Sequence, residues 1–488
     1  MNSGATSSIP EGISSLLDTD LYKITMQCAV LKYFPQVDVT YGFTNRTPDM
    51  KLSRAAYKWL SEQIHRLGNV TVKPDEIDFL KKFCPYLSDA YLQYLRDFHL
   101  KPAEQVQIKF TPTKDTGSDN DLGVLEYLIK GLWVETILYE IPLLALTSEA
   151  YFKFCDRDWD HDGQEENTYK KGLALLENGC VFSEFGSRRR RDYHTHDLVM
   201  RGLCRAASDA KEAKGKFSGT SNVHFAMKYG VNPVGTVAHE WYMGIAAFTN
   251  DYENANELGL RYWLGCFGEG VLGIALTDTF GTPAFLDAFS QPLPDFTTPE
   301  VGINATLPSS RATTVGSTPQ SLASTKPPIQ APTQDGVSKN PKTYAQVFQG
   351  IRQDSGDPQN FVKLAREFYD NQGITDKKVI VFSDALKVDT CLRYKAIAEE
   401  AGFQPTFGVG TYFTNDFNKK SDGKKSVPLN IVIKIASAGG RPAVKLSDNL
   451  GKNTGDKALV QEVKRRLGYV ENVWEEGNEA SRWGKKGD

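Results

Sequence analysis

The chain has 488 residues, 40% of them hydrophobic and 24% charged, which is the balance of an ordinary globular protein. At roughly 150 residues per domain, two or three domains are expected, with ample core and no need of disulfides. A formal net charge of −3 excludes a field that would gather nucleic acid or an anionic membrane, so any anionic ligand must be held by local groups.

Seven cysteines are scattered, odd in number and without a C-x-x-C pair; reduced thiols in a cytosolic protein are the simplest reading. The start, MNSGATSSIPEG, has neither the basic nor the apolar region of a signal peptide. No apolar run approaches the ~20 residues of a membrane span. A soluble, cytoplasmic protein is expected, with nuclear entry left open.

Residues 18–34 (DTDLYKITMQCAVLKYF) read as a helix capped by Asp18 or Thr19, with Leu21, Ile24, Cys28 and Leu31 at helical spacing. Alternating Val37, Val39, Tyr41 and Phe43 predict a strand. The stretch 50–150 reads as mostly helical, with one strand at Gln105–Phe110. Residues 1–150 are therefore expected to form an α+β domain.

Beyond about residue 170, short apolar runs end in polar clusters at Phe182–Ser187, Phe217–Ser221, Val234–Glu240, Ile274–Thr279, Gln349–Asp354, Val379–Asp384 and Thr406–Thr411. Helical patterns lie at 192–213, 251–264, 358–371 and 387–401. This alternation predicts an α/β fold of parallel strands joined by crossover helices over 151–428, more barrel than open sheet. Chemistry in such barrels sits at the C-terminal strand ends. Residues 292–343 hold nine of the 23 prolines and read as a disordered insertion. Residues 429–488 follow, with strands at Leu429–Ala436 and Pro442–Leu446 around Gly439-Gly440 and a helix at Asp456–Leu467. This tail is expected to pack on the first domain.

The strand ends carry the candidate chemistry. Gly408-Val409-Gly410-Thr411 can bring backbone N–H groups and a hydroxyl to a phosphate, although G-x-G also marks plain turns. Ser383-Asp384 suits ribose hydroxyls, or Asp384 caps the next helix. Arg352, Asp354 and Asp357 form either a structural ion pair or an anion and sugar site. Phe185 followed by Arg188–Arg191 is either a solvated basic run or a ring-stacking residue beside anion-binding arginines, Arg188 foremost. His239, at an expected strand end, is a packed histidine or a nucleophile oriented by Asp278. His194 and His196 lack further ligands for zinc.

Taken together, Asp18–Gln27 (DTDLYKITMQ), Val39–Arg46 (VTYGFTNR), Glu184–Arg188 (EFGSR), Gly219–Asn222 (GTSN), Thr236–Glu240 (TVAHE), Thr277–Gly281 (TDTFG), Gly350–Pro358 and Phe382–Thr411 resemble the nicotinate phosphoribosyltransferases of the eukaryotic, ATP-using kind. The resemblance implies an irregular β/α barrel with an additional α+β domain built from the N-terminal region and C-terminal tail. It implies transfer of a phosphoribosyl group from 5-phosphoribosyl 1-pyrophosphate to nicotinate, coupled to ATP hydrolysis, with Mg²⁺ and a homodimer. Carried onto this chain, His239 is the phosphorylated histidine and Asp278 its partner. Phe185 and Tyr22 sandwich the pyridine, Tyr22 coming from the second subunit. Arg188 and Arg352 meet the carboxylate and phosphates, Asp354 positions the ribosyl group, and Ser383, Asp384, Gly408, Gly410 and Thr411 line the sugar-phosphate pocket. Ser221 stands where nicotinamide-using relatives place Asp, which favours nicotinate; the alternatives are the nicotinamide enzyme of the same fold, a quinolinate-type transferase and an inactive nucleotide-binding regulator.

Overall fold

A helix without a polar stripe is buried round most of its circumference, and Leu21–Tyr33, buried from Lys23 through Val30, is such a helix in the computed structural model, which describes residues 10–294, 341–449 and 453–470. The expected caps Asp18 and Thr19 are not used. Asp20 takes the N-cap position, yet its carboxylate accepts from Ser187 and Ser221 instead, while Asp18 pairs with Arg190.

After this helix come β1 (Asp38–Asn45), β2 (Leu52–Ser53), β3 (Val106–Pro112) and β4 (Leu122–Leu132). The eleven-residue β4 lies in the stretch read as mostly helical. Its inward residues Gly123, Leu125, Tyr127 and Ile129 alternate with outward Leu122, Val124, Glu126, Leu128 and Lys130. Because three outward residues are also apolar, the period of two is invisible in the sequence.

Six short strands follow: β5 (Val181–Glu184), β6 (Lys216–Thr220), β7 (Ile274–Leu276), β8 (Gly350–Gln353), β9 (Val379–Phe382) and β10 (Gln404–Val409). They are all parallel, in the order β6-β5-β10-β9-β8-β7. Helices Tyr193–Asp209, Ala255–Phe267, Pro358–Asn371 and Val388–Glu400 fall where helical spacing puts them. The seventh expected strand, at Val234–Glu240, does not form. Pro233 cannot donate to a ladder, and the segment keeps one bridge, Thr220 to Pro233, with the Val234 N–H on the Thr220 carbonyl at 2.8 Å. His239 therefore opens the helix His239–Thr249 instead of ending a strand. The class is α/β, an irregular β/α barrel beside an antiparallel sheet.

A small ribbon, β11 (Phe417–Asn418) with β12 (Lys425–Ser426), precedes β13 (Ile431–Ala438) and β14 (Arg441–Pro442). Gly439 and Gly440, at φ 58° and 78°, supply the left-handed turn between the last two. β13 pairs with β1, so the chain's end enters the first sheet, in the order β14-β13-β1-β4-β2 with β3 on β4. The last helix is Lys457–Arg466, capped by Asp456. Most of the expected insertion 292–343 lies outside the described residues. At its ends, however, Pro292 bridges Thr343 and the Leu293 N–H meets the Lys342 carbonyl at 2.8 Å, so those ends are paired. Among the described residues no helix is long and apolar enough to cross a membrane, and all seven cysteines are free thiols.

Candidate active site

At the C-terminal ends of the parallel strands lies a cavity of about 1180 Å³, large enough for two small ligands. Phe185 and Arg188 reach it from β5, Ser221 from β6, Arg352 and Asp354 from β8. Ser383 and Asp384 come from β9, Gly408, Gly410 and Thr411 from β10, and His239 from its helix. Asp278 does not line the cavity and is buried beneath it at 1% side-chain exposure. Asp384 does not cap a helix, since the next one starts at Val388 with Lys387 at its cap; Asp357 does cap one, accepting from the Gln359 N–H at 2.9 Å.

Tyr22, expected to serve a second subunit, lines the cavity of its own chain. The Leu21 N–H donates to the Ser221 carbonyl at 2.7 Å and the Val223 N–H to the Thr19 carbonyl at 3.0 Å. These bonds fix the start of the first helix against the loop after β6, and Tyr22 with it.

The arginine run divides by burial. Arg190 is fully buried and grips Asp18 through both carboxylate oxygens at 2.7 Å. Arg191 is buried too, its guanidinium 3.6 Å from the Phe152 ring centroid, a cation–π contact in place of a carboxylate. Arg188 and Arg189 alone face the cavity. Gly408 also has a steric role: a Cβ there would overlap the Phe185 ring, so this glycine makes room for the aromatic face.

Around His239 the geometry differs from the expected Asp278–imidazole pair. Nδ1 is 3.0 Å from Thr279 Oγ1, and Nε2 is 3.0 Å from Asp354 Oδ2 and 2.9 Å from Lys445 Nζ. Asp278 Oδ1 stands 3.9 Å from Nε2 and has no hydrogen-bond partner, while its other oxygen accepts from Ser355. Asp354, which also accepts from Ser383 Oγ at 2.7 Å and faces Arg352 at 3.4 Å, is thus the direct carboxylate partner. Burial and the neighbouring Lys445 push the His239 pKa down to about 4, against the pull of Asp278 and Asp354; the ring is neutral at pH 7 and keeps a lone pair. Burial would raise Asp354, but Arg352, His239 and Lys445 outweigh it and hold that carboxyl well below its usual range.

Several functional groups were missed in the sequence. Lys445 arrives from the chain's end, and the only hint of it is a lone charge in an apolar run (PAVKL). Glu140 is 3.3 Å from the Tyr22 hydroxyl, 3.7 Å from Arg188 and 2.6 Å from the buried Lys23. Burial would raise Glu140; Lys23, Lys434 and Arg188 bring it to about 2. Burial lowers Lys434, on β13, to about 7. Among the described residues, His239, Asp278 and Asp354 also bring ligand atoms within 4.8 Å of one another. The Lys445 ammonium beside them and the imidazole nitrogen both disfavour Mg²⁺, which prefers an all-oxygen shell.

A neutral imidazole backed by carboxylates, in an arginine-lined cavity at the strand tips, is the arrangement of a β/α-barrel enzyme site. Comparison with known proteins narrows this. The family model described as nicotinate phosphoribosyltransferase N-terminal domain matches residues 17–148, and that of the nicotinate phosphoribosyltransferase family matches 180–297 and 329–471. The nicotinate phosphoribosyltransferase of Saccharomyces cerevisiae is 43% identical, over 96% of this chain and 99% of that protein. A crystal structure from the same yeast overlays with a TM-score of 0.81 at 42% identity, covering 95% of this chain and 100% of that one. The crystal structure of nicotinate phosphoribosyltransferase from Vibrio cholerae gives 0.74 at 28% identity, covering 95% and 96%. The chain belongs to the nicotinate phosphoribosyltransferase family.

Proposed function

We propose that the chain joins nicotinate to 5-phosphoribosyl 1-pyrophosphate, giving nicotinate mononucleotide and pyrophosphate, and couples this to ATP hydrolysis through a phosphohistidine at His239. The reaction is the first step of NAD salvage from nicotinate. One observation carries the reading: His239 shares a single cavity with the aromatic and arginine end (Tyr22, Phe185, Arg188) and with the Gly410-Thr411 loop.

In this account nicotinate lies between Tyr22 and Phe185, with its carboxylate toward Arg188. Its ring nitrogen faces the ribosyl carbon, whose departing pyrophosphate leaves a cation-like sugar opposed by Asp354. Asp384 accepts ribose hydroxyls, Arg352 meets phosphate, and Thr411 with the Gly410-Thr411 backbone holds the sugar phosphate. Mg²⁺ bound to the substrate phosphates would supply charge shielding there. Phosphorylation of His239 then biases the protein between states of different ligand affinity. The outward apolar side chains Leu122, Val124 and Leu128 on β4, 42–53% exposed, support a homodimer, and the free thiols fit a cytoplasmic location.

Substrate choice rests on Ser221. Its hydroxyl donates to Asp20 at 2.8 Å, as does that of Ser187 at 2.6 Å. Burial raises the Asp20 pKa to about 6 despite these bonds and the nearby Arg188. A second carboxylate would face nicotinate unpaired, and like charges at a desolvated site cost several kcal/mol. Ser221→Asp should therefore lower kcat/KM for nicotinate by about 10²-fold while nicotinamide gains in preference. Steady-state kinetics with each pyridine check this, and an unchanged ratio would remove Ser221 from the specificity account.

A further inference from the structure

One nitrogen in the cavity is claimed by two opposite partners. His239 Nε2 lies 2.9 Å from the Lys445 ammonium and 3.0 Å from an Asp354 carboxylate oxygen. An ammonium can only donate, so it requires a lone pair on Nε2; a carboxylate only accepts, so it requires an N–H there. A neutral ring satisfies one of them at a time. On the far side, the Thr279 hydroxyl, 3.0 Å from Nδ1, serves either state, because it both donates and accepts. The groups facing the ring are therefore Lys445, Asp354, Asp278 and Thr279, with Arg352 on the outer side of Asp354.

We infer that Lys445 is the positioning residue that sets the tautomer of His239, holding Nε2 as a lone pair and the ring proton on Nδ1. Its own placement is rigid. The Lys445 N–H and carbonyl both pair with Thr454 at 2.9 Å, and the next residue, Leu446, donates to the carbonyl of Thr279 at 2.9 Å. The chain thus hangs the lysine from the same residue that receives the Nδ1 proton. Its ammonium stands 3.8 Å from Asp278 Oδ2 with 9% of the side chain exposed, so its charge is screened little by solvent. Since Asp354 is fixed by Ser383 and Arg352, removing Lys445 hands Nε2 to the carboxylate, and the proton moves from Nδ1 to Nε2.

The consequence for phosphoryl transfer rests on the ATP-coupled reading above. With Nε2 as lone pair, it attacks the γ-phosphorus: the Nε2–P bond forms, the bond to the β–γ bridging oxygen breaks, and its electron pair leaves on ADP. The ring proton remains on Nδ1 at Thr279, and the Lys445 ammonium is freed to meet the phosphoryl oxygens. With Nε2 protonated, this attack has no electron pair to use.

The test is nitrogen NMR of the full chain labelled in histidine, without nucleotide, on wild type, Lys445→Arg and Lys445→Met. Wild type and Lys445→Arg should show an unprotonated Nε2 and a protonated Nδ1 at His239, assigned with His239→Gln, and Lys445→Met the reverse. A protonated Nε2 in wild type, or one tautomer in all three, overturns the inference. Phosphohistidine formed from labelled ATP is read in parallel and should fall by about 10²-fold in Lys445→Met. Should wild type show the expected tautomer yet never take up label, the ATP coupling fails and the assignment of Lys445 stands.

Discussion

Lys23→Met should lower the stability of this chain by about 3–5 kcal/mol, the usual cost of breaking a buried ion pair from one side. Lys23 is wholly buried, 2.6 Å from Glu140 and in contact with Glu240. Glu240 spends its other oxygen on the Tyr41 hydroxyl at 2.7 Å and the Trp133 indole at 2.8 Å, which holds that carboxylate in place. Methionine fills the same volume, leaves Glu240 without its cation and leaves Glu140 with only the more distant Arg188 and Lys434. The damage extends to function, because Glu140 also orients Tyr22 and Arg188. Urea midpoints measured for wild type and Lys23→Met check this, and pairing the change with Glu240→Gln should restore part of the loss. A midpoint within error of wild type would mean that the network is not what joins the first helix to the barrel.

The second large effect is expected at Asp354. Asparagine keeps the shape and still accepts from Ser383, but removes the negative charge that, in the proposed mechanism, faces the developing sugar cation. Loss of one preorganised electrostatic group costs about 10²–10³-fold in kcat, and Asp354→Asn should show that loss with little change in nicotinate KM. Pre-steady-state formation of the mononucleotide separates the two parameters. A variant with wild-type kcat would show that Asp354 serves His239 alone.

What the sequence makes legible here is whatever lies on one strand tip. Phe185, Arg188, Arg352, Asp354, Ser383 and Asp384 stand out because an apolar run breaks into polar residues at a point where a parallel strand ends. What it hides is contact across long separations. Lys445 lies 206 residues from the imidazole that it touches, and Glu140 is 118 from Tyr22; no local period encodes either. Asp278 shows the same blindness, since a neighbouring strand tip made it the natural partner of His239, while the helix start at His239 turned the ring toward Asp354. Gly408 shows a subtler limit, as a glycine signals room without saying what fills it, and here the Phe185 ring takes that room. β4 stayed hidden because Leu122, Val124 and Leu128 face outward.

The proposed ATP coupling depends on a neutral imidazole at His239 sharing one cavity with Tyr22, Phe185 and Arg188. Mononucleotide formation from nicotinate and from nicotinamide, with and without ATP, on wild type and His239→Ala tests this most directly. The account predicts turnover with nicotinate, stimulation by ATP, and loss of that stimulation, with the transfer itself retained, in the variant. Equal ATP stimulation in His239→Ala would contradict it.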